Sequence, residues 1–177
     1  MFIVPLYEEG GFAYGYVTAS RKDIGNLYNI YDCIGACAEI PEDIEDRPLI
    51  VRDMFQNSTP FLQTVHNPRP WLESPRKAVK PLPAKRTKFI SGDNVVDMTS
   101  DTSVPATLED VRTLRRASWP TNPHASMMVE ALLRRRHLEF DKERRIFYLG
   151  RSVDSPSDGT WTNDRAYKFH ADPQHIL

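Results

Sequence analysis

Apolar and polar positions alternate in the first third of the chain and shift to a helical rhythm beyond the middle. Phe2 to Tyr7 is a short apolar run interrupted by Pro5, which predicts a strand at a sheet edge, where a missing backbone N–H does no harm. Glu8-Glu9-Gly10-Gly11 predicts a turn. From Phe12 to Ala19, the residues Phe12, Tyr14, Tyr16 and Thr18 share one face, and Ala13, Gly15, Val17 and Ala19 share the other. The aromatic face suits a core, and the small face, with Gly15 at its centre, suits close approach of another backbone. The two segments are expected to pair as an antiparallel hairpin. Leu27 to Ile34 predicts a third strand, with Leu27, Asn29, Tyr31 and Cys33 against Tyr28, Ile30, Asp32 and Ile34. Leu49 to Phe55 and Phe61 to His66 are candidates for a fourth and a fifth. Such a meander forms a curved antiparallel sheet or a small open barrel.

Residues 67–86 carry Pro68, Pro70, Pro75, Pro81 and Pro83 among Arg69, Arg76, Lys77, Lys80, Lys85 and Arg86. The prolines prevent helix and central strand. An ordered crossing loop anchored by Trp71 is the first reading, and a disordered proline-basic linker is the other. Thr107-Leu108-Glu109-Asp110 matches a helix start, with Leu108, Val111 and Leu114 at helical spacing and Pro120 as the stop. Asn122-Pro123 predicts the start of a second helix, which buries Met128, Val129, Leu132 and Leu133 and closes on Arg134-Arg135-Arg136, where the helix dipole favours basic charge. Leu138 to Phe140 and Ile146 to Leu149 predict a hairpin, and Trp161, Tyr167 and Phe169 are docking anchors in a polar tail. No internal repeat is present. The expected fold is α+β in one domain over 1–177: β-rich 1–66, a proline-basic loop 67–86, helices and a hairpin over 105–150, and a tail 151–177.

Composition narrows the functional classes. A chain of 177 residues suits one domain, and 40% hydrophobic with 27% charged residues is a globular balance. The net charge of −1 removes bulk attraction for a polyanion, so nucleic-acid binding would need a local patch. If Cys33 and Cys37 lie on one extended strand they are about 13 Å apart. A disulfide needs Cα atoms within about 7 Å, so on that reading they stay reduced. The first residues offer no basic, apolar leader pattern and no segment approaches a membrane span, so the expected location is cytoplasmic.

Catalytic patterns are missing where they would be read. Gly10-Gly11 with Gly15 lacks the Lys-Ser/Thr and the strand-to-helix context of a phosphate loop. There is no G-x-S-x-G elbow. Two cysteines fall short of the four ligands of a structural zinc, and His66, His124, His137, His170 and His175 are scattered. His137-Leu138-Glu139 has no P-C-x-x-C after it. The chain is expected to use no cofactor and no metal, and to be a binding protein rather than an enzyme. Two charged clusters remain. Glu39, Glu42, Asp43, Glu45, Asp46 and Asp53 are either a solvated loop or a surface facing a basic partner. Arg134, Arg135 and Arg136 with Lys142, Arg144 and Arg145 are either helix capping and hairpin charge or phosphate contacts.

Several stretches together resemble the immunity protein 26 family of bacterial polymorphic toxin systems. Phe2-Ile3-Val4-Pro5-Leu6 followed by Gly11-Phe12-Ala13-Tyr14-Gly15-Tyr16-Val17 looks like its opening hairpin, and Ile30-Tyr31-Asp32 sits where it carries a similar strand. Pro105-Ala106-Thr107-Leu108-Glu109-Asp110, Leu114 and Trp119 are similar to its later helix and tryptophan. The likeness spans about two-thirds of the chain and leaves the proline-basic loop and residues 137–177 unmatched. It implies a protein that binds and neutralises a cognate toxin domain without catalysis. The alternative is a nucleic-acid-binding module: residues 107–149 read helix, turn, helix, hairpin, as a winged helix-turn-helix does. That reading requires the second helix to show a basic, exposed face.

Overall fold

The computed structural model describes residues 1–56, 59–64, 68–85, 87–114, 124–141, 143 and 146–152. Strands β1 (Phe2–Pro5) and β2 (Phe12–Arg21) form the expected antiparallel hairpin, in a register running from Phe2↔Gly15 to Pro5↔Phe12. The turn between them needs left-handed backbone at Gly10 (φ 74°) and Gly11 (φ 91°), which glycine adopts without steric cost. Strands β3 (Gly25–Tyr31), β4 (Leu49–Gln56) and β5 (Leu72–Glu73) complete an antiparallel sheet of order β4-β3-β2-β1-β5, which stays open rather than closing into a barrel. Two expectations change here. The strand β1 is not at the edge, because β5 pairs with it; that pairing reaches only Phe2 and Ile3, so Pro5 still meets no demand for its N–H from that side. The expected strand over 61–66 does not form in its described part: Phe61 closes a 3-10 turn, Thr59–Phe61, no strand covers 62–64, and His66 lies outside the described residues.

Alternation buries both faces of this sheet. On one face Phe2, Val4, Ala13, Tyr28 and Ile30 pack with Met128, Val129 and Leu132 of helix α2 (His124–Leu133) and with Trp71. On the other, Ile3, Tyr14, Tyr16 and Tyr31 close over Ile44. Gly15 sits where the strands crowd: a Cβ there would lie 2.4 Å from the Asn29 carbonyl oxygen and 2.5 Å from the Phe2 ring. The proline-basic segment is an ordered crossing loop over its described residues, 68–85. Trp71 is buried, stacks on Phe2 at 5.1 Å between ring centroids, and donates its indole N–H to Ser126 Oγ at 2.8 Å. One aromatic side chain thus ties the loop to both the sheet and α2.

Strands β6 (Lys88–Ser91), β7 (Asn94–Asp97) and β8 (Ser103–Pro105) form a second, three-stranded sheet, which is not among the elements expected from the hydrophobic pattern. Phe89, Val96 and Met98 bury against Leu27 and Phe55, and Arg21 donates to the carbonyls of Asp97, Ser100 and Thr102. Helix α1 (Leu108–Thr113) begins at the predicted capping box, with Thr107 and Asp110 bonded reciprocally. It stops sooner than expected, at an extended Leu114, and buries none of its residues; Pro120 lies outside the described residues. In α2 every residue from Ala125 to Leu133 is buried, not only the predicted stripe; the Asn122-Pro123 start lies outside the described residues. Strands β9 (Arg136–Asp141) and β10 (Ile146–Ser152) form the expected C-terminal hairpin. Trp161, Tyr167 and Phe169 fall outside the described residues. Among the described residues, no helix is long and apolar enough to cross a membrane.

Candidate functional site

The acidic stretch lies on a loop that is closed at its base. Strand β3 ends at Tyr31, and the Asp32 amide donates to the Pro48 carbonyl at 2.7 Å, so residues 33–47 form an arm on the face of the sheet that carries Tyr14 and Tyr16. Ile44, fully buried, plugs the arm into that aromatic cluster. Burial raises the pKa of Tyr31, with the neighbouring Tyr16 hydroxyl acting in the same direction, so the Tyr31 hydroxyl stays neutral.

Arg76, from the crossing loop, fixes the rest of the arm. Its guanidinium donates to the carbonyls of Ile40 (3.4 Å), Pro41 (2.6 Å) and Glu42 (3.0 Å) and lies 3.7 Å from the Glu45 carboxylate. Glu45 in turn accepts the amides of Val79 (2.9 Å) and Lys80 (3.0 Å). A basic side chain therefore holds the acidic backbone, and an acidic side chain holds the basic backbone. Charge-assisted bonds of this kind, several to one group, give a defined loop geometry.

This arrangement divides the carboxylates that the sequence grouped together. Glu39, Glu42, Asp43 and Asp46 are exposed along the arm. Asp43 pairs with Arg47 at 2.6 Å, but both side chains are about half exposed (53% and 51%), so the pair contributes little stability. Glu45 is engaged with the crossing loop as described. Asp53 does not belong to this surface. It is 2% exposed at a bulge in β4 with φ 55°, donates its amide to Asn29 Oδ1 and accepts the Lys85 amide.

The basic cluster is arranged in the opposite way. Glu130, fully buried in α2, accepts the consecutive amides of Tyr7 (2.6 Å), Glu8 (3.0 Å) and Glu9 (3.0 Å) from the β1–β2 turn. Successive N–H groups converging on one carboxylate form an anion-binding concavity, here filled by the protein's own side chain. Arg134 bonds Glu130 (3.0 Å) and the Gly10 carbonyl (2.6 Å), and pairs with Glu9. Arg135, at φ 54°, bonds Asp32 (2.6 Å) and caps the helix through the Leu132 carbonyl. Arg136 bonds Glu9 and the carbonyls of Leu149 and Gly150. The triplet binds the helix end, the turn and the hairpin together. Lys142, Arg144 and Arg145 lie outside the described residues.

A winged-helix reading needs a second helix with a basic, solvent-facing side. Helix α2 carries no Lys or Arg and is buried from Ala125 to Leu133, so it does not supply one. Among the described residues no group of three or more His, Cys, Asp or Glu is placed to hold a metal ion. Two site features went unread in the sequence. Glu130 had a visible signal: it is the one charge in an otherwise apolar run, with Arg134 four residues on. Arg76 had none, because its partners lie some 35 residues earlier in the chain. No family model, no curated protein and no solved structure matches this chain. The resemblance to the immunity protein 26 family therefore rests on the short motifs quoted for it.

Proposed function

We propose that this chain is an immunity-type binding protein, which occludes a basic, nucleic-acid-handling toxin domain through its acidic arm and needs no turnover and no cofactor. The observation that carries the proposal is the contrast in how charge is used. Glu39, Glu42, Asp43 and Asp46 are exposed on an arm whose backbone is held by Arg76 and Ile44, whereas Arg134, Arg135 and Arg136, though partly exposed, are each bonded to the chain's own carboxylates and carbonyls. A carboxylate-rich surface can occupy a cleft built for phosphates. A loop held in one geometry loses less conformational entropy when it binds. Its exposed charges act mainly on encounter, raising the association rate, and salt weakens that gain.

The test is co-expression with the C-terminal domain of the product of the neighbouring reading frame. That domain should arrest growth alone and be tolerated beside this chain, and protection should weaken with Glu42→Lys combined with Asp46→Lys. Full protection by the charge-reversed chain would move the binding face away from the arm.

A further inference from the structure

The crossing loop carries a repeat of three. Lys80 and Leu82 each precede a proline, which disfavours helical backbone for them, and Pro81 and Pro83 are held at φ of about −65°. Residues 81–84 lie in neither helix nor strand. An extended helix of three residues per turn, the polyproline form, satisfies these restraints together. The contacts follow that period. The amides of Val79 (2.9 Å), Leu82 (3.1 Å) and Lys85 (2.8 Å), three residues apart, point inward to Glu45, the Tyr16 hydroxyl and Asp53. Ala78 and Ala84, two turns apart, pack on the aromatic cluster around Tyr16 and on the cluster around Phe89. The side chains of Val79 and Leu82 are left outside, 78% and 45% exposed, with Lys77, Lys80 and Lys85 exposed around them.

We propose that residues 77–85 are a preformed polyproline-type ligand, presented to a partner domain whose groove is lined by aromatic rings and bordered by carboxylates. The backbone donors rule out strand addition here. From Val79 to Pro83 each residue gives its amide inward or, as proline, has none, Lys80 sharing the Glu45 carboxylate with Val79. Recognition therefore falls to the side chains, which is how aromatic grooves read such helices. Leu82 with Pro83 offers one apolar step to the groove, and Val79, one turn earlier, offers a second. The lysines select the rim: in a chain of net charge −1 they gather exposed positive charge along one edge, which complements carboxylates. Arg52 donates to the Pro83 carbonyl at 2.9 Å and adds a fourth pin, so little backbone entropy is left to lose on binding. The charge of this edge is opposite to that of the arm. It takes a different partner from a basic toxin domain and stands independently of that reading.

The experiment titrates a panel of single SH3 and WW domains with acidic groove rims into the isotopically labelled full chain and reads its amide chemical shifts. At least one domain should bind, with shifts confined to residues 77–85 and the residues that pin them. Val79→Ser with Leu82→Ser should weaken that complex about tenfold or more in a chain that melts at the same temperature, because both side chains are exposed. Lys80→Glu with Lys85→Glu should slow association and reduce its salt dependence. Three results would each overturn the proposal: no binding by any domain of the panel at roughly millimolar concentration, shifts that leave residues 77–85 untouched, or binding that the double serine variant retains in full, which marks charge attraction alone.

Discussion

The acidic arm and the arginine triplet look alike in the sequence, as short runs of like charge of the kind any solvated surface carries, yet they have opposite roles. In the triplet the charges are bonded to the chain's own groups: buried Glu130 collects the turn amides, and the partly exposed arginines bind Glu9, Asp32 and the carbonyls of the helix end and hairpin. In the arm the backbone faces inward and most of the charges do not, since Arg76 holds carbonyl oxygens and Ile44 fills the core. The difference shows why charge count alone is a poor guide to a binding surface. A like-charged run is available to a partner only where something other than its own side chains holds it in place.

Breaking the inward network should have the largest effect. Glu130→Ala would leave the amides of Tyr7, Glu8 and Glu9 without their acceptor and Arg134 without its buried partner. Removal of one partner from a buried charge cluster costs about 3–5 kcal/mol, measurable as a lowered denaturant midpoint. A loss below about 1 kcal/mol, the range of exposed pairs, would mean that the triplet is no more structural than the arm.

Arg76→Ala should come next. It removes the donors to Ile40, Pro41 and Glu42 and the contact with Glu45, and bonds to a charged group are worth about 1.5–3 kcal/mol each before solvent exposure is allowed for. Arg76 is partly exposed, so a total near the low end of that range is expected. Hydrogen exchange should quicken in residues 40–45 while β2 and β3 keep their protection; uniform loosening would show that the arm is not held separately. Arg135→Ala should cost less, up to about 1 kcal/mol, because both it and Asp32 are substantially exposed. Glu42→Lys with Asp46→Lys should be smallest, within about 0.5 kcal/mol in thermal or chemical unfolding, as both residues are exposed on the arm.

What could be read in the sequence was whatever a local rule governs. The first hairpin followed from alternation about a Gly-Gly turn, and the α1 start from the spacing of Thr107 and Asp110. The second sheet went unread although its signal was present: Gly92-Asp93 between Ile90 and Val95 is a two-residue hairpin turn, and Gly92 takes φ 59°. The apolar stripe of α1 misled in a different way. Leu108 and Val111 sit at helical spacing yet remain exposed, 80% and 46%, because periodicity locates a helix face without saying whether anything packs on it. Long-range partners were beyond any local rule. That Asp53 would leave the acidic group for the interior, and that Arg76 would bind the arm, depends on strand register and on the crossing loop.

Under the proposed function, the exposed carboxylates of the arm govern encounter with a basic partner. That proposal is tested by the association rate with a basic toxin domain that the chain neutralises on co-expression, for wild type and for Glu42→Lys with Asp46→Lys, at low and at high salt. Association of the double variant should be slower at low salt, its dissociation rate should change less, and the difference should shrink as salt screens the charges. Equal association rates at low salt would contradict the proposal.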